Sequence, residues 1–416
     1  MGLQIVETGA VRHIRTNAFN PVSAEQADYL PDIVITIDAG NILSIKSFSE
    51  HDGSWEDYRE CLCVPGLIDL HVHLSQYRIR GIYYPALLPW LQNNVFPEER
   101  KSQTRVFAEA LSKDFYRALL AAGTTYSVIY TAPFRETADV AFEVAQELGI
   151  QAKIGMTMMD MNSPESLLQS TDYALHHSIE LNEKYSSELL GYIFTPRFAP
   201  TCSETLMREV GAYASKHNAF IQTHLSENPD EIRWVQELFG KASYTQVYSD
   251  FGLLTPRTIL GHAIHLNDKE LSLLKGSCSA IAHCPDSNFY LKSGEYPLQR
   301  ISEADIPFGL GSDVGAGTTL NMLYHAKQMN FRQSSQAVLP PEMLYRVTKA
   351  NAQILNLDHL IGSIEAGMQA DLLFFSPPQG FDIGHHSLSQ LCFLSEDFTL
   401  KEVLVKGKAI LTDTHN

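Results

Sequence analysis

Residues 105–130 read RVFAEALSKDFYRALLAAGTTYSVIY, an amphipathic run that closes on a glycine and passes at once into a short β-rich run. Residues 203–227, SETLMREVGAYASKHNAFIQTHLSE, repeat the arrangement, with helical spacing of apolar residues, a brief break, and an apolar stretch that ends in polar side chains. Parallel strands need a crossover, usually a helix, so recurring helix-then-strand units predict a parallel sheet. Such units fill residues 65 to about 355, enough to close an eight-stranded α/β barrel.

The chain ends have a different texture. DIVITIDAGNILSIK (32–46) is two β-rich runs around an Ala-Gly turn, and ECLCVPG (60–66) leads into the first barrel strand. ADLLFFSP (370–377) and KEVLVKGKAIL (401–411) are again short apolar strands. Both ends are therefore expected to pair into one small β domain, giving 1–64 and 366–416 to that domain and 65–365 to the barrel.

With 416 residues there is ample chain for a buried site. A formal charge of −17 argues against a nucleic-acid or anionic-membrane surface. Six scattered cysteines form no disulfide framework and fit a reducing, cytoplasmic setting. MGLQIVETGA at 1–10 lacks a basic, apolar leader, position 6 is Val where a myristoylation signal has Ser or Thr, and no apolar run spans a membrane.

In such a barrel, chemistry sits at the C-terminal ends of strands. DLHVH (69–73) ends one strand, and its i, i+2 spacing sends His71 and His73 to the same face. AFIQTHLSE brings His224 to a strand end with Glu227 three residues on, TILGHAIHL brings His262, and IPFGLGSDVGAG brings Asp313 among glycines that permit close approach to a ligand. His71, His73, His224 and Asp313 make three imidazoles and a carboxylate, a donor set typical of catalytic zinc or a similar divalent ion. A core histidine, a strand-end cap or a Gly-rich turn explains any one of them, but not why all of them terminate strands. His265 and His176-His177 do not end strands and are read as surface residues.

VPGLIDLHVH, THLSE, GHAIHL and GLGSDVG resemble the amidohydrolase superfamily across essentially the whole chain, with GSIEAGMQADLLFF as the return to the small domain. The resemblance implies a distorted (β/α)8 TIM barrel and a small β-sandwich built from both chain ends. Two-metal members carry a lysine on the fourth strand; LLGYIFTPRFAP has none, which implies one zinc ion per chain. Mononuclear relatives with His-x-x-Glu, here His224 to Glu227, deaminate nucleobases and related heterocycles. HLSQYRIRG, LLPWLQNNVFPEE, TPRFAPTCSETLM, IQTHLSEN and AHCPDSN are similar to the guanine deaminase family, which also implies a homodimer. GIYYPALLPW, which places Tyr83 and Tyr84 near the mouth, and Asp286, where the family has Asn or Thr, depart from its pattern.

The chemistry follows from these residues. Replacing an aromatic amine by oxygen needs a nucleophile at neutral pH, and a metal lowers the pKa of bound water from about 15.7 to about 7. Asp313 would take the proton, Glu227 would protonate ring N3 as hydroxide attacks C2, and His262 would hydrogen-bond the attacking oxygen. Guanine and water would give xanthine and ammonia. Guanine offers O6 and N7 to an arginine, where adenine carries an amine, so Arg197 would read that edge. The resemblance implies that Gln76 reads the ring edge and that Phe198 or Leu87 packs on the purine face. A deaminase of 8-oxoguanine, a pterin or a triazine, an amide or chloride hydrolase, and a metal-free scaffold are the competing readings.

Overall fold

Residues 4–5, 11–49 and 53–411 are described in the computed structural model. The leader and myristoylation readings fall on residues 1–10, which apart from 4–5 lie outside them.

Leu67–His73, Thr124–Thr131 and Gln151–Met158 are buried along their whole lengths, as strands of a parallel sheet covered on both faces must be. They pair in parallel, and Thr195–Pro196 joins the third of them. Ile221–Leu225, Thr258–His262, Ala280–His283 and Phe308–Leu310 form a second parallel sheet. A bridge from Phe194 to Ile221 joins the sheets on one side. On the other, Asp313 N–H donates to the His71 carbonyl at 2.8 Å and His73 N–H to the Val314 carbonyl at 2.7 Å, so the ring closes. The expected (β/α)8 barrel is present, and it is distorted at the fourth strand, which is broken into Leu190–Tyr192 and Thr195–Pro196.

The first strand is irregular too. Asp69 pairs with Ser127 and Val72 with Ile129, so three steps on one strand span two on the next. That extra residue switches parity. Before it, Ile68 and Leu70 join Tyr126, Val128 and Ile259 in one apolar cluster; after it, His71 and His73 converge. The helices between strands pack over a larger core that includes Phe115, Phe142, Met207 and Tyr248. Among the described residues no helix is long and apolar enough to cross a membrane.

The chain ends build one eight-stranded, hydrogen-bonded path, in the order Gln4–Ile5, Lys408–Leu411, Thr399–Val405, Leu372–Ser376, Glu56–Pro65, Arg12–Pro21, Ala27–Asp38, Asn41–Ser47. Every pairing is antiparallel except that of Arg12–Pro21 with Glu56–Pro65. Ile14 and Ile35 from one half share a core with Leu372, Phe374 and Leu404 from the other, so the sheet curls into a sandwich around them. The alternate residues Leu62, Val64, Leu373 and Phe375 face the barrel's core instead. The expected Ala-Gly turn is Ala39-Gly40, both with positive φ (49° and 86°), as tight hairpins require.

Candidate active site

Strand ends bring four donors together: His71 and His73 from the first strand, His224 from the fifth, and Asp313 from the loop after the eighth. One donor atom of each lies within 4.8 Å of the others, and all four residues are buried. Nε2 of His71 and of His73 are each 3.3 Å from Asp313 Oδ1, and His224 Nε2 is 3.3 Å from His73 Nε2. A carbonyl only accepts, so His224 Nδ1, 2.6 Å from the Arg197 oxygen, carries the proton and Nε2 keeps its lone pair. Burial pushes the His73 imidazolium down to about 3 and His224 well below its ordinary value, which keeps both rings neutral at pH 7. Burial also pushes the Asp313 carboxyl up, but its contacts with His71 and His73 outweigh this and hold it well below the usual range. Neutral imidazole nitrogens and one carboxylate oxygen facing a common point fit a divalent cation.

Glu227 stands beside this cluster on the turn after the fifth strand. Burial, reinforced by the Asp313 charge, raises its carboxyl to about 8. Ser293 Oγ donates to Glu227 Oε1 at 2.9 Å, and Oε2 lies 3.5 Å from His262 Nε2. The proton therefore belongs on Oε2. His262 Nδ1 meets Asn288 Oδ1 at 2.9 Å, which leaves Nε2 facing Glu227 and, at 3.8 Å, Asp313 Oδ2. Ser226, His262, Ala263 and Asp313 all have positive φ (47°, 66°, 50° and 51°), the local strain expected where side chains must be aimed.

A cavity of about 400 Å³ opens over these groups, walled by Leu87, Trp90, Leu91, Phe198 and Leu291 and reached by Gln76, Arg197, Glu227, His262 and Asp313. Every catalytic, substrate-binding and metal-ligand candidate from the sequence lines the cavity or belongs to the donor cluster. Tyr83 is 52% exposed and packs edge-on against Tyr290, outside the cavity lining. Asp286 is buried away from it and accepts from Thr318 N and Oγ1 at 2.8 and 2.7 Å, tying the loop after Asp313 to the helix Pro285–Tyr290.

Other placements correct the sequence reading. The glycines around Asp313 serve protein packing rather than ligand approach: a Cβ on Gly311 would stand 2.6 Å from His71 Cβ, and one on Gly315 2.9 Å from Gln76. His265 is half-buried, and its Nε2 donates to the Ser293 carbonyl at 2.8 Å, fixing the residue that holds Glu227. His176 is exposed as expected, and with His177 and Glu180 it forms a second donor group on the surface of helix Thr171–Lys184. The sequence reading missed Glu99. It is fully buried, accepts from Arg197 Nη1 at 2.8 and 3.0 Å, and also takes Gln76 Nε2 at 3.1 Å and Ser75 Oγ at 3.3 Å. Its only signal was its place in LLPWLQNNVFPEE, one of the stretches that carry the family resemblance.

The amidohydrolase family profile matches residues 62–410. Guanine deaminase of Escherichia coli is 35% identical over 82% of this chain and 82% of its own length. Guanine deaminase of Dictyostelium discoideum is 32% identical over 98% of this chain and 92% of its own. A crystal structure of guanine deaminase from C. acetobutylicum with bound guanine superposes with a TM-score of 0.90 at 30% identity, covering 97% of this chain and all of that one.

Proposed function

The chain belongs to the amidohydrolase family and, within it, to the guanine deaminases, and from that membership we propose that it hydrolyses guanine to xanthine and ammonia. The observation that carries this reading is one cavity that exposes both the four-donor cluster and an arginine–glutamine pair suited to a purine edge.

His71, His73, His224 and Asp313 would hold one zinc ion per chain, which when bound supplies a water of pKa near 7. The protein's own groups do the rest. Asp313, ionised, accepts the proton of the attacking water. Glu227, protonated at neutral pH, delivers its Oε2 proton to N3 as the oxygen adds to C2, takes up the hydroxyl proton of the adduct and gives it to the departing amine, and the proton held by Asp313 then returns to Glu227 to restore both carboxyl groups. His262 Nε2 lies within reach of both carboxyl groups and hydrogen-bonds the oxygen that joins C2. Arg197 reads O6 and N7, Gln76 reads the neighbouring edge, and Phe198 and Leu87 pack on the ring faces. One water enters and one ammonia leaves.

The division into a small domain of 1–64 and 366–416 and a catalytic barrel of 65–365 belongs to the same reading. So do a homodimer, which the family resemblance implies, and a cytoplasmic location, which six cysteines without a disulfide among them fit. An ultraviolet assay of metal-analysed protein against guanine, 8-oxoguanine, adenine and cytosine tests the reaction. Conversion of guanine to xanthine, lost in Glu227→Gln, supports it; a metal-loaded protein inert to guanine overturns it. Light scattering tests the dimer.

A further inference from the structure

We propose that Glu99 is the positioning residue that gives the cavity its base-reading order, a cationic donor beside an amide acceptor. The inference rests on the guanine-deaminating reading. Glu99 lies in the helical run Leu87–Lys101, whose middle turn, Leu91–Val95, is a wider π turn. The same run supplies Leu87, Trp90 and Leu91 to the cavity wall, so its inner side carries both the apolar wall and the carboxylate.

The order follows from what each group can do. A carboxylate only accepts, so the Gln76 amide must turn its N–H2 toward Glu99, and the amide oxygen is left without a protein partner among the described residues. Gln76 lines the cavity, and its role there is therefore that of an acceptor. Arg197, 3% exposed, spends Nη1 on both oxygens of Glu99, which holds the guanidinium in one orientation with its remaining donors free of that carboxylate. Guanine presents O6, an acceptor, next to N1–H, a donor, and complements this order. 2,6-Diaminopurine presents an amine next to a bare N1, the reverse order, while keeping the reactive amine on C2. Without Glu99 the Gln76 amide is free to rotate, and the site loses its preference between the two.

Steady-state kinetics of Glu99→Gln and Glu99→Asp with guanine and 2,6-diaminopurine test the assignment, with metal content measured for each. For Glu99→Gln, KM for guanine should rise by about 10- to 100-fold, the usual cost of losing a hydrogen-bonded supporting group, with a much smaller change in kcat. The preference for guanine over 2,6-diaminopurine should fall by a similar factor. Glu99→Asp, which keeps the charge beside Arg197, should fall between. An unchanged KM and preference, an equal loss for both bases, or a loss confined to kcat overturns the assignment. If Glu99→Gln does not fold, Glu99→Asp decides by the same criteria. Failure of the unaltered, metal-loaded protein to consume guanine overturns the functional reading and the assignment with it, whereas normal turnover with an indifferent variant overturns the assignment alone.

Discussion

At the scale of single residues, Arg197 does two jobs with two ends: its carbonyl fixes the ring of His224, and its side chain borders the purine site. A metal at the donor cluster and a base in the cavity would thus be held in register by one amino acid. Glu227 invites the most direct test. Glu227→Gln keeps shape and removes the proton donor, so kcat should fall by about 10²- to 10⁴-fold while metal content, read by atomic absorption, stays unchanged. The same carboxyl makes a stability prediction. Burial raises Glu227 to about 8 and Glu231 to about 7 from an ordinary 4.5. Both groups bind protons more tightly when folded, so their contribution is fully present below pH 4.5 and is lost as pH rises through 7 to 8. In metal-stripped protein the buried, neutral His73 and His224 oppose this trend below about pH 6.5, so thermal unfolding followed from pH 7 to 8 should show a midpoint that drops with rising pH, and Glu227→Gln should flatten part of the drop.

At the scale of elements, the strand-end rule located every donor because apolar runs that stop abruptly at His or Asp leave a local trace in the sequence. What escaped was non-local. Glu99 sits on a helix, its charged partner Arg197 lies 98 residues away, and no pattern within the helix announces that. The role of the glycines was misread for the same reason, since their neighbours, His71 and Gln76, stand far away along the chain. Gly261 shows how close the packing is: a Cβ there would stand 2.8 Å from His71 Cε1. Gly261→Ala should push the imidazole aside and weaken zinc binding by about 10- to 100-fold, measured by chelator competition, with the far-ultraviolet circular dichroism unchanged.

At the scale of the whole molecule, the curled sheet and the barrel meet at Asp371. Its Oδ2 accepts from Gln151 and Gln369 at 2.8 and 2.7 Å, and its Oδ1 from Lys406 N at 2.8 Å. Asp371→Asn would set an amide against these donors and should lower stability by about 1–3 kcal/mol, seen in urea unfolding, while kcat/KM for guanine stays as it was. That the chain carries a barrel and an additional sheet from its ends was legible because hydrophobic period and turn chemistry differ between them; the buried contact at Asp371 was not, because it joins residues 220 apart.

The closure of the barrel has one further consequence, for the order of events as the polypeptide matures. Ser312 N–H reaches the Asp69 carboxylate across 243 residues, and His71 and Asp313 stand on opposite lips of the same seam. A chain still emerging from the ribosome can hold at most His71, His73 and His224 in place until its eighth strand arrives. The full donor set is therefore a product of completed topology, and a cation captured across the seam would latch the joint at which the first strand meets the loop after the eighth.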